Sequence, residues 1–276
     1  MSSSNTASII VERLNSKAMY SMFDYYGITP SGYLLYNQSD PINDPKGTDD
    51  LTIFDLTSRK NIQTYRPAGN SFSISPDGTL FAGHTKSLDN KIEVHSVTAK
   101  LFERAFSEYV QSSTFSGDSK RLAVVCLYSI HVIDVKSRKV VASVKTTNEL
   151  GSSCFSADGK TLVVGDDESS NVILLDVATE KTTRIKFPEE RLGEIWRVDQ
   201  TDKICITGTD HFYHLDISKK QVQSFIDHRT YPMDLSESGR YAGVDASGGI
   251  TIFDMISGAS VFNTRRAGGA SRHCPR

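Results

Sequence analysis

Residues 115–135 read FSGDSKRLAVVCLYSIHVIDV and contain the two patterns that decide the fold. The stretch opens on Phe115-Ser116-Gly117-Asp118, the end of a strand followed by turn residues. It continues through the apolar run 122–125 and closes on Val132-Ile133-Asp134-Val135, a strand that ends in an acidic residue. Both patterns recur along the chain with a period near 40 residues. A fixed period of this length is typical of a repeat architecture.

The strand that ends in an acidic or small polar residue occurs six times. Its last residue, which we call the marker, lies at 55, 96, 134, 176, 216 and 254, so the copies are 38 to 42 residues apart. The copies are Ile53-Phe54-Asp55-Leu56, Val94-His95-Ser96-Val97, Val132-Ile133-Asp134-Val135, Leu174-Leu175-Asp176-Val177, His214-Leu215-Asp216-Ile217 and Ile252-Phe253-Asp254-Met255.

The turn pattern recurs out of phase with the marker. Its copies are Ile28-Thr29-Pro30-Ser31-Gly32, Ile74-Ser75-Pro76-Asp77-Gly78, Phe115-Ser116-Gly117-Asp118, Phe155-Ser156-Ala157-Asp158-Gly159 and Leu235-Ser236-Glu237-Ser238-Gly239, with a degenerate copy at 198–202. Asp-Gly and Ser-Gly suit tight hairpins because glycine adopts positive φ without steric cost. Each unit therefore reads as four short strands, which is one blade of a β-propeller.

Residues 20–265 resemble the WD-repeat β-propellers, which implies an all-β fold of four-stranded antiparallel blades. In that family the marker strand ends in Trp-Asp, whereas pairs such as Phe54-Asp55 and Ile133-Asp134 stand here. The family also has a Gly-His pair before each blade's first strand, and its His joins a hydrogen-bonded network. Only Asp227-His228 lies near that place. We therefore expect most blades to be held by apolar packing without that network.

Six units have first strands near residues 25, 72, 113, 153, 196 and 233. They fit a closed six-bladed ring in which strand 7–13 adds to an edge, or a seven-bladed ring that is truncated in this chain. The predicted organisation is an N-terminal segment at 1–17 with this closing strand, a propeller at 18–265 and a disordered tail at 266–276.

The composition excludes several classes of protein. With 31 Lys and Arg against 33 Asp and Glu, the net charge of −2 gives no bias toward nucleic acid or anionic membranes. No apolar run is long enough to span a bilayer, and the N-terminus lacks the pattern of a signal peptide. The cysteines Cys126, Cys154, Cys205 and Cys274 are widely spaced and are predicted to be reduced. We expect a cytoplasmic or nuclear protein that is not secreted.

No local pattern predicts catalysis, a metal or a cofactor. The sequence lacks a Gly-x-Ser-x-Gly elbow, a glycine-rich phosphate loop and a His-Glu-x-x-His motif. His211 and His214 fall on opposite faces of a strand and make poor joint ligands. Asp166-Asp167-Glu168 is expected to be a solvated hairpin loop. Trp196 is expected in the core, and the insertion 37–50 is either a binding determinant or a neutral excursion.

By the resemblance, partners bind the rim formed by the loops that join successive blades. The candidate partner-binding residues there are Tyr65, Arg66, Tyr109, Glu149, Arg191, His228, Arg229 and Tyr231. Tyr and Arg are enriched at interface hot spots, so the predicted partners are proteins or peptides. The predicted function is a non-enzymatic scaffold in a multi-protein assembly. The alternative is a propeller enzyme, such as a lactonase-like hydrolase, with its active site in the central channel; Ser71, Ser112 and Ser152 occupy that channel end here.

Overall fold

The computed structural model describes residues 23–28, 33–38, 50–65, 72–83, 90–198, 201–209, 211–227, 232–235, 239–246 and 249–263. All the regular elements among these residues are β-strands, and they form six four-stranded antiparallel sheets. Each sheet is built from four strands that are consecutive in the chain, so each is one blade. The all-β prediction and the six predicted repeats are confirmed.

The strands of each blade follow one another from the centre outward, because the first strands of blades 2 to 5 contact one another. Blade 1 contains β1 (Phe23–Ile28), β2 (Tyr33–Gln38), β3 (Asp50–Asp55) and β4 (Lys60–Tyr65); blade 2 contains β5 (Phe72–Ile74), β6 (Leu80–Gly83), β7 (Lys91–Ser96) and β8 (Lys100–Ala105); blade 3 contains β9 (Val110–Phe115), β10 (Arg121–Cys126), β11 (Ser129–Asp134) and β12 (Lys139–Lys145). Blade 4 contains β13 (Leu150–Phe155), β14 (Thr161–Asp166), β15 (Asn171–Asp176) and β16 (Thr182–Lys186); blade 5 contains β17 (Ile195–Arg197), β18 (Ile204–Thr207), β19 (His211–Asp216) and β20 (Gln221–Asp227); blade 6 contains β21 (Pro232–Leu235), β22 (Tyr241–Ala246), β23 (Gly249–Asp254) and β24 (Ser260–Asn263).

The core consists of apolar layers between successive blades. In β10, Leu122 and Val124 pack toward blade 2, whereas Ala123 and Val125 pack toward blade 4. This alternation explains why the second strands are continuous apolar runs, since both faces of each strand are buried. Equivalent layers fill the spaces between blades 4 and 5 and between blades 5 and 6.

Trp196 lies in the last of these layers, as predicted. It is 9% exposed, meets Phe212 edge to face at a centroid distance of 5.9 Å, and its indole N–H donates to the Gly239 carbonyl at 3.2 Å. The thiols of Cys126, Cys154 and Cys205 are also buried and free. Burial raises the pKa of Cys126 and of Cys154 to about 12, so both remain protonated and unreactive.

The turns between first and second strands share one hydrogen-bonded arrangement. In blade 4, the Ser156 hydroxyl donates to Asp158 at 2.8 Å and accepts the Thr161 N–H at 3.0 Å. Blades 2 and 3 repeat this with Ser75 and Asp77 and with Ser116 and Asp118, at 2.6 and 2.7 Å. The turn pattern of the sequence is therefore a side-chain closure of each hairpin.

The marker closes the turn between third and fourth strands. The carboxylate of Asp134 accepts the Ser137 N–H at 2.7 Å, and that of Asp176 accepts the Thr179 N–H at 2.8 Å. Four residues after the marker, Arg138 and Glu180 have φ of 61° and 57°, a conformation that favours glycine. The marker Ser96 caps a turn that is one residue shorter, because β8 begins at Lys100.

The predicted N-terminal segment 1–17 and tail 266–276 lie outside the described residues, and their bounds stay predictions. The insertion begins later than expected, because Asn37 and Gln38 still belong to β2 and pair with Leu51 and Asp50; residues 39–49 are not described. In the part of the chain that the structure describes, no helix is long and apolar enough to cross a membrane.

Candidate functional site

Antiparallel order places two kinds of loop at one end of the propeller. The connections between blades and the turns between second and third strands lie at this end, which we call the upper rim; the other turns form the lower rim. Tyr109, Glu149 and Arg191 lie on the upper rim. Arg66, His228, Arg229 and Tyr231 lie outside the described residues, as does the side chain of Tyr65, the last residue of β4.

In blade 3, the connection 106–109 is fixed by Glu108. Its Oε2 accepts the Tyr128 N–H at 2.8 Å, from the turn between β10 and β11. It also accepts the Ser129 hydroxyl at 3.1 Å, from the first residue of β11. The Leu127 N–H also donates to the Tyr109 carbonyl at 3.0 Å. These bonds hold the connection against the neighbouring turn of the same blade.

In blade 4, Asn148 has the same role. Its Nδ2 donates to both carboxylate oxygens of Asp166, at 3.1 and 3.2 Å, and the Ser169 N–H donates to Oδ1 at 3.1 Å. The Arg184 guanidinium lies 3.7 Å from Asp166 Oδ2. Asp166 is 0% exposed, so the prediction of a solvated loop was wrong for this residue. A buried carboxylate is stable here because each oxygen has a donor.

In blade 5, Glu189 pins the connection 187–194. Its Oε1 accepts the Tyr213 hydroxyl at 2.5 Å and lies 3.0 Å from His211 Nδ1, and its Oε2 accepts the Thr209 N–H. His214 points elsewhere: it stacks on Phe225 and its Nε2 lies 2.9 Å from the Met255 carbonyl oxygen. The two histidines thus serve separate contacts, as expected from their places on β19.

Glu108, Asn148 and Glu189 follow the repeat, with steps of 40 and 41 residues. Each joins the connection that precedes its blade to the turn between the second and third strands of the same blade. The apolar layers between blades agree with the expectation that packing holds the blades without a Gly-His network, and these anchors add polar bonds within blades 3 to 5. A sequence search for Gly-His misses these anchors because they are Glu in blades 3 and 5 and Asn in blade 4.

The anchors fix the residues that follow them on the rim. Tyr109, directly after Glu108, is 49% exposed, Glu149 follows Asn148, and the exposed residues Glu190 and Arg191 follow Glu189. A large side chain held on a rigid loop loses little entropy when a partner binds it. The sequence prediction of these residues as rim residues agrees with their location, and their role stays a prediction.

Carboxylates crowd the upper rim between blades 3 and 5. Asp167 lies against Gly151, where a Cβ atom would come within 2.6 Å of its carboxylate oxygens. Asp167 is exposed as a residue, but partial desolvation of its carboxylate, followed by the charges of Asp166, Glu149 and Glu194, raises its pKa. Among the described residues, no Lys or Arg forms an ion pair with Glu149, Asp167 or Glu194. Carboxylates thus outnumber exposed Arg191 on this part of the rim.

The serines at the upper end of the channel connect adjacent blades. The Ser112 hydroxyl donates to the Gly151 carbonyl at 2.9 Å. The Ser152 hydroxyl donates to Glu194 at 3.2 Å and accepts the Ile195 N–H at 3.0 Å. These hydroxyls are bonded within the scaffold. Within the described ranges, no group of three His, Cys, Asp or Glu side chains is arranged to hold a metal ion.

The blades and their order define a β-propeller of the WD-repeat-like architecture. The chain is similar to the β-propeller domain of Myceliophteria thermophila Cps50 (Swd1), with a TM-score of 0.66 and 12% identity over 88% of this chain and 85% of that one. No protein-family model and no curated protein matches the sequence. Because 1406 solved chains match, the likeness identifies the fold and does not select a function.

Proposed function

We propose that the protein is a non-enzymatic interaction scaffold of a multi-protein assembly, and that it binds protein or peptide partners through its upper rim. The observation that carries the proposal is the pinning of three successive connections by Glu108, Asn148 and Glu189. Such bonds make a preformed surface out of loops, which are otherwise the mobile parts of a fold. Preformed surfaces bind with a smaller entropic cost.

The charge of the upper rim indicates the charge of the segment that binds it. Glu149, Asp167 and Glu194 form no ion pair with a described Lys or Arg, so a basic partner segment relieves their mutual repulsion. Exposed Tyr109 adds a large amphipathic contact beside them. Binding is therefore expected to weaken as salt is raised.

The proposed compartment is the cytoplasm, with the nucleus also compatible. Cys126, Cys154 and Cys205 are free thiols on strands of three different blades. Reduced cysteines of this kind suit a reducing compartment.

The test is a comparison of two matched double variants in capture of partners from the native cell extract. Tyr109→Ala with Asp167→Arg shortens an exposed side chain and reverses an exposed carboxylate on the upper rim. Val141→Ala with Asp202→Arg makes the same changes on β12 and the lower rim, where Val141 is 46% exposed. The proposal expects the upper-rim variant alone to lose a defined set of proteins. Equal capture by both folded variants contradicts it.

A further inference from the structure

A chain of hydrogen bonds crosses one face of blade 3 and ends at the exposed hydroxyl of Ser143. Ser129 and His131 lie two residues apart on β11, so they share a face of the sheet, and Ser143 on β12 is directly opposite His131. Glu108 Oε2 accepts the Ser129 hydroxyl at 3.1 Å. His131 Nε2 lies 3.1 Å from Ser129 Oγ, and His131 Nδ1 lies 3.0 Å from Ser143 Oγ. A carboxylate is thus linked to an exposed hydroxyl through an imidazole.

The carboxylate fixes the direction of every bond in this chain. An ionised carboxylate only accepts hydrogen bonds, so the single hydroxyl hydrogen of Ser129 is directed at Glu108. Ser129 Oγ therefore accepts from the Nε2–H of His131. A neutral imidazole carries one ring hydrogen, which leaves Nδ1 as the acceptor of the Ser143 hydroxyl. A serine whose proton is directed at a base in this way is activated for nucleophilic attack.

The surroundings of His131 keep it a base and attract anions. Burial lowers the pKa of His131, although the charge of Glu108 opposes the shift. The positive charges of Arg104 on β8 and Lys145 on β12 lower that pKa further. The imidazole is therefore neutral at pH about 7. Ser143 is exposed, so a reagent reaches its hydroxyl, and the two cations favour a reagent with negative charge.

The backbone of Ser143 limits the reaction to an activated reagent. The Ser143 N–H donates to Glu180 Oε1 at 2.8 Å. It is therefore not available to stabilise the oxyanion that forms when Ser143 attacks a carbonyl carbon. Attack then depends on the base and on a good leaving group, and hydrolysis of the resulting ester is not assisted. The acyl group remains on Ser143, which is compatible with a scaffold that is not an enzyme.

We propose that Ser143 is a site of covalent acylation by acyl phosphates, which combine negative charge with a good leaving group. Ser143 Oγ attacks the carbonyl carbon, and its proton passes to His131 Nδ1. The bond between the carbonyl carbon and the phosphate oxygen breaks, and phosphate leaves with the electron pair. Phosphate then takes up the proton from His131. The products are an acyl ester of Ser143 and inorganic phosphate.

Incubation of the full chain with acetyl phosphate, followed by peptide mass spectrometry, tests this reaction. Ser143 is expected to be acetylated at least about tenfold faster than exposed Ser107 of the same chain. His131→Gln is expected to remove the difference, since glutamine does not accept the proton. The wild-type rate at Ser143 is expected to fall as the pH is lowered below about 6.5, where His131 becomes protonated, and to level off above it. A serine without a base reacts instead at a rate that rises continuously with pH.

Variants of Ser129 test whether this residue positions the imidazole. Ser129→Ala removes the acceptor of the His131 Nε2–H and is expected to slow acetylation of Ser143. Ser129→Thr keeps a hydroxyl and is expected to restore the rate. Hydrogen exchange of blade 3 shows whether each variant is folded.

The wild-type measurement decides the proposal even if the variants do not fold. Acetylation of Ser143 that is no faster than that of Ser107, or acetylation of lysines alone, overturns it. A rate at Ser143 that rises with pH without levelling off also overturns it. Equal rates in the wild type and in folded His131→Gln exclude the imidazole as the base and have the same consequence.

Discussion

At the scale of single residues, several side chains occupy positions that their own chemistry disfavours. Arg138, Glu180 and Lys220 have φ near 60° in the turns that follow the marker, and blade 6 places Gly258 there instead. A non-glycine residue in this conformation costs about 1–2 kcal/mol. The marker's hydrogen bonds to the turn offset that cost. Substitution of one of these residues by glycine is therefore expected to stabilise the protein.

Lys220→Gly is expected to stabilise the protein by about 0.5–1 kcal/mol, since glycine relieves the strain at φ 55° but adds freedom to the unfolded chain. Equilibrium unfolding in urea measures the change. Lys220→Ala is the control, because alanine keeps the Cβ that causes the strain and is expected to give no gain. A gain from alanine equal to that from glycine contradicts the explanation.

Asn148→Ala is expected to destabilise the protein by about 1.5–3 kcal/mol, because it removes the amide nitrogen that donates to both oxygens of the buried Asp166 carboxylate. Asn148→Asp is expected to be worse near neutral pH, since it places a second carboxylate there, and to recover partly in acid. Urea unfolding at two pH values checks both variants. Ser107→Ala, exposed in the preceding connection, provides the control and is expected to be neutral.

At the scale of elements, the sequence determined the strands far better than the rim. The first strands of all six units fell within the observed inner strands, because each strand carries its own apolar pattern and its own turn. The sequence does not predict Glu108, Asn148 and Glu189 as anchors, because their partners lie in turns that only the folded sheet brings near. Asp166 was assigned to solvent for the same reason: burial of a carboxylate depends on donors such as Asn148 that lie 18 residues away.

The hairpin turns allow a direct test of whether each unit's own residues determine its turn. Ser156→Ala is expected to cost about 1–2 kcal/mol, because it leaves the Thr161 N–H without its acceptor and removes the donor to Asp158, and Ser156 itself is buried. Urea unfolding measures the loss. Ser170→Ala is the comparison, since that hydroxyl donates to a connection on the upper rim, at Glu190. A cost below that of Ser170→Ala contradicts the assignment of Ser156 as the closure of its hairpin.

At the scale of the whole molecule, apolar layers join blade 2 to blade 3, blade 3 to blade 4, blade 4 to blade 5 and blade 5 to blade 6. Because a strand such as β10 contributes to two layers at once, loss of one blade exposes apolar surface on both neighbours. Three histidines of these blades are also shielded from solvent: His95 is 6% exposed, and His131 and His214 are half-buried. Stability of the described blades is thus coupled to the protonation of buried imidazoles.

Stability is expected to fall as the pH is lowered from about 7 to 5. Burial lowers the pKa of His95, His131 and His214, so the unfolded chain, with histidine pKa values near 6.5, binds more protons than the folded one in this range. The turn aspartates have lowered pKa values and act only in stronger acid, below about 4. Asp167, whose pKa is raised, acts in the opposite direction, so it weakens the slope at the acidic end of the range. Thermal unfolding across this range measures the slope, and His95→Gln with His214→Gln is expected to flatten it. An unchanged slope in that variant excludes these histidines as the source.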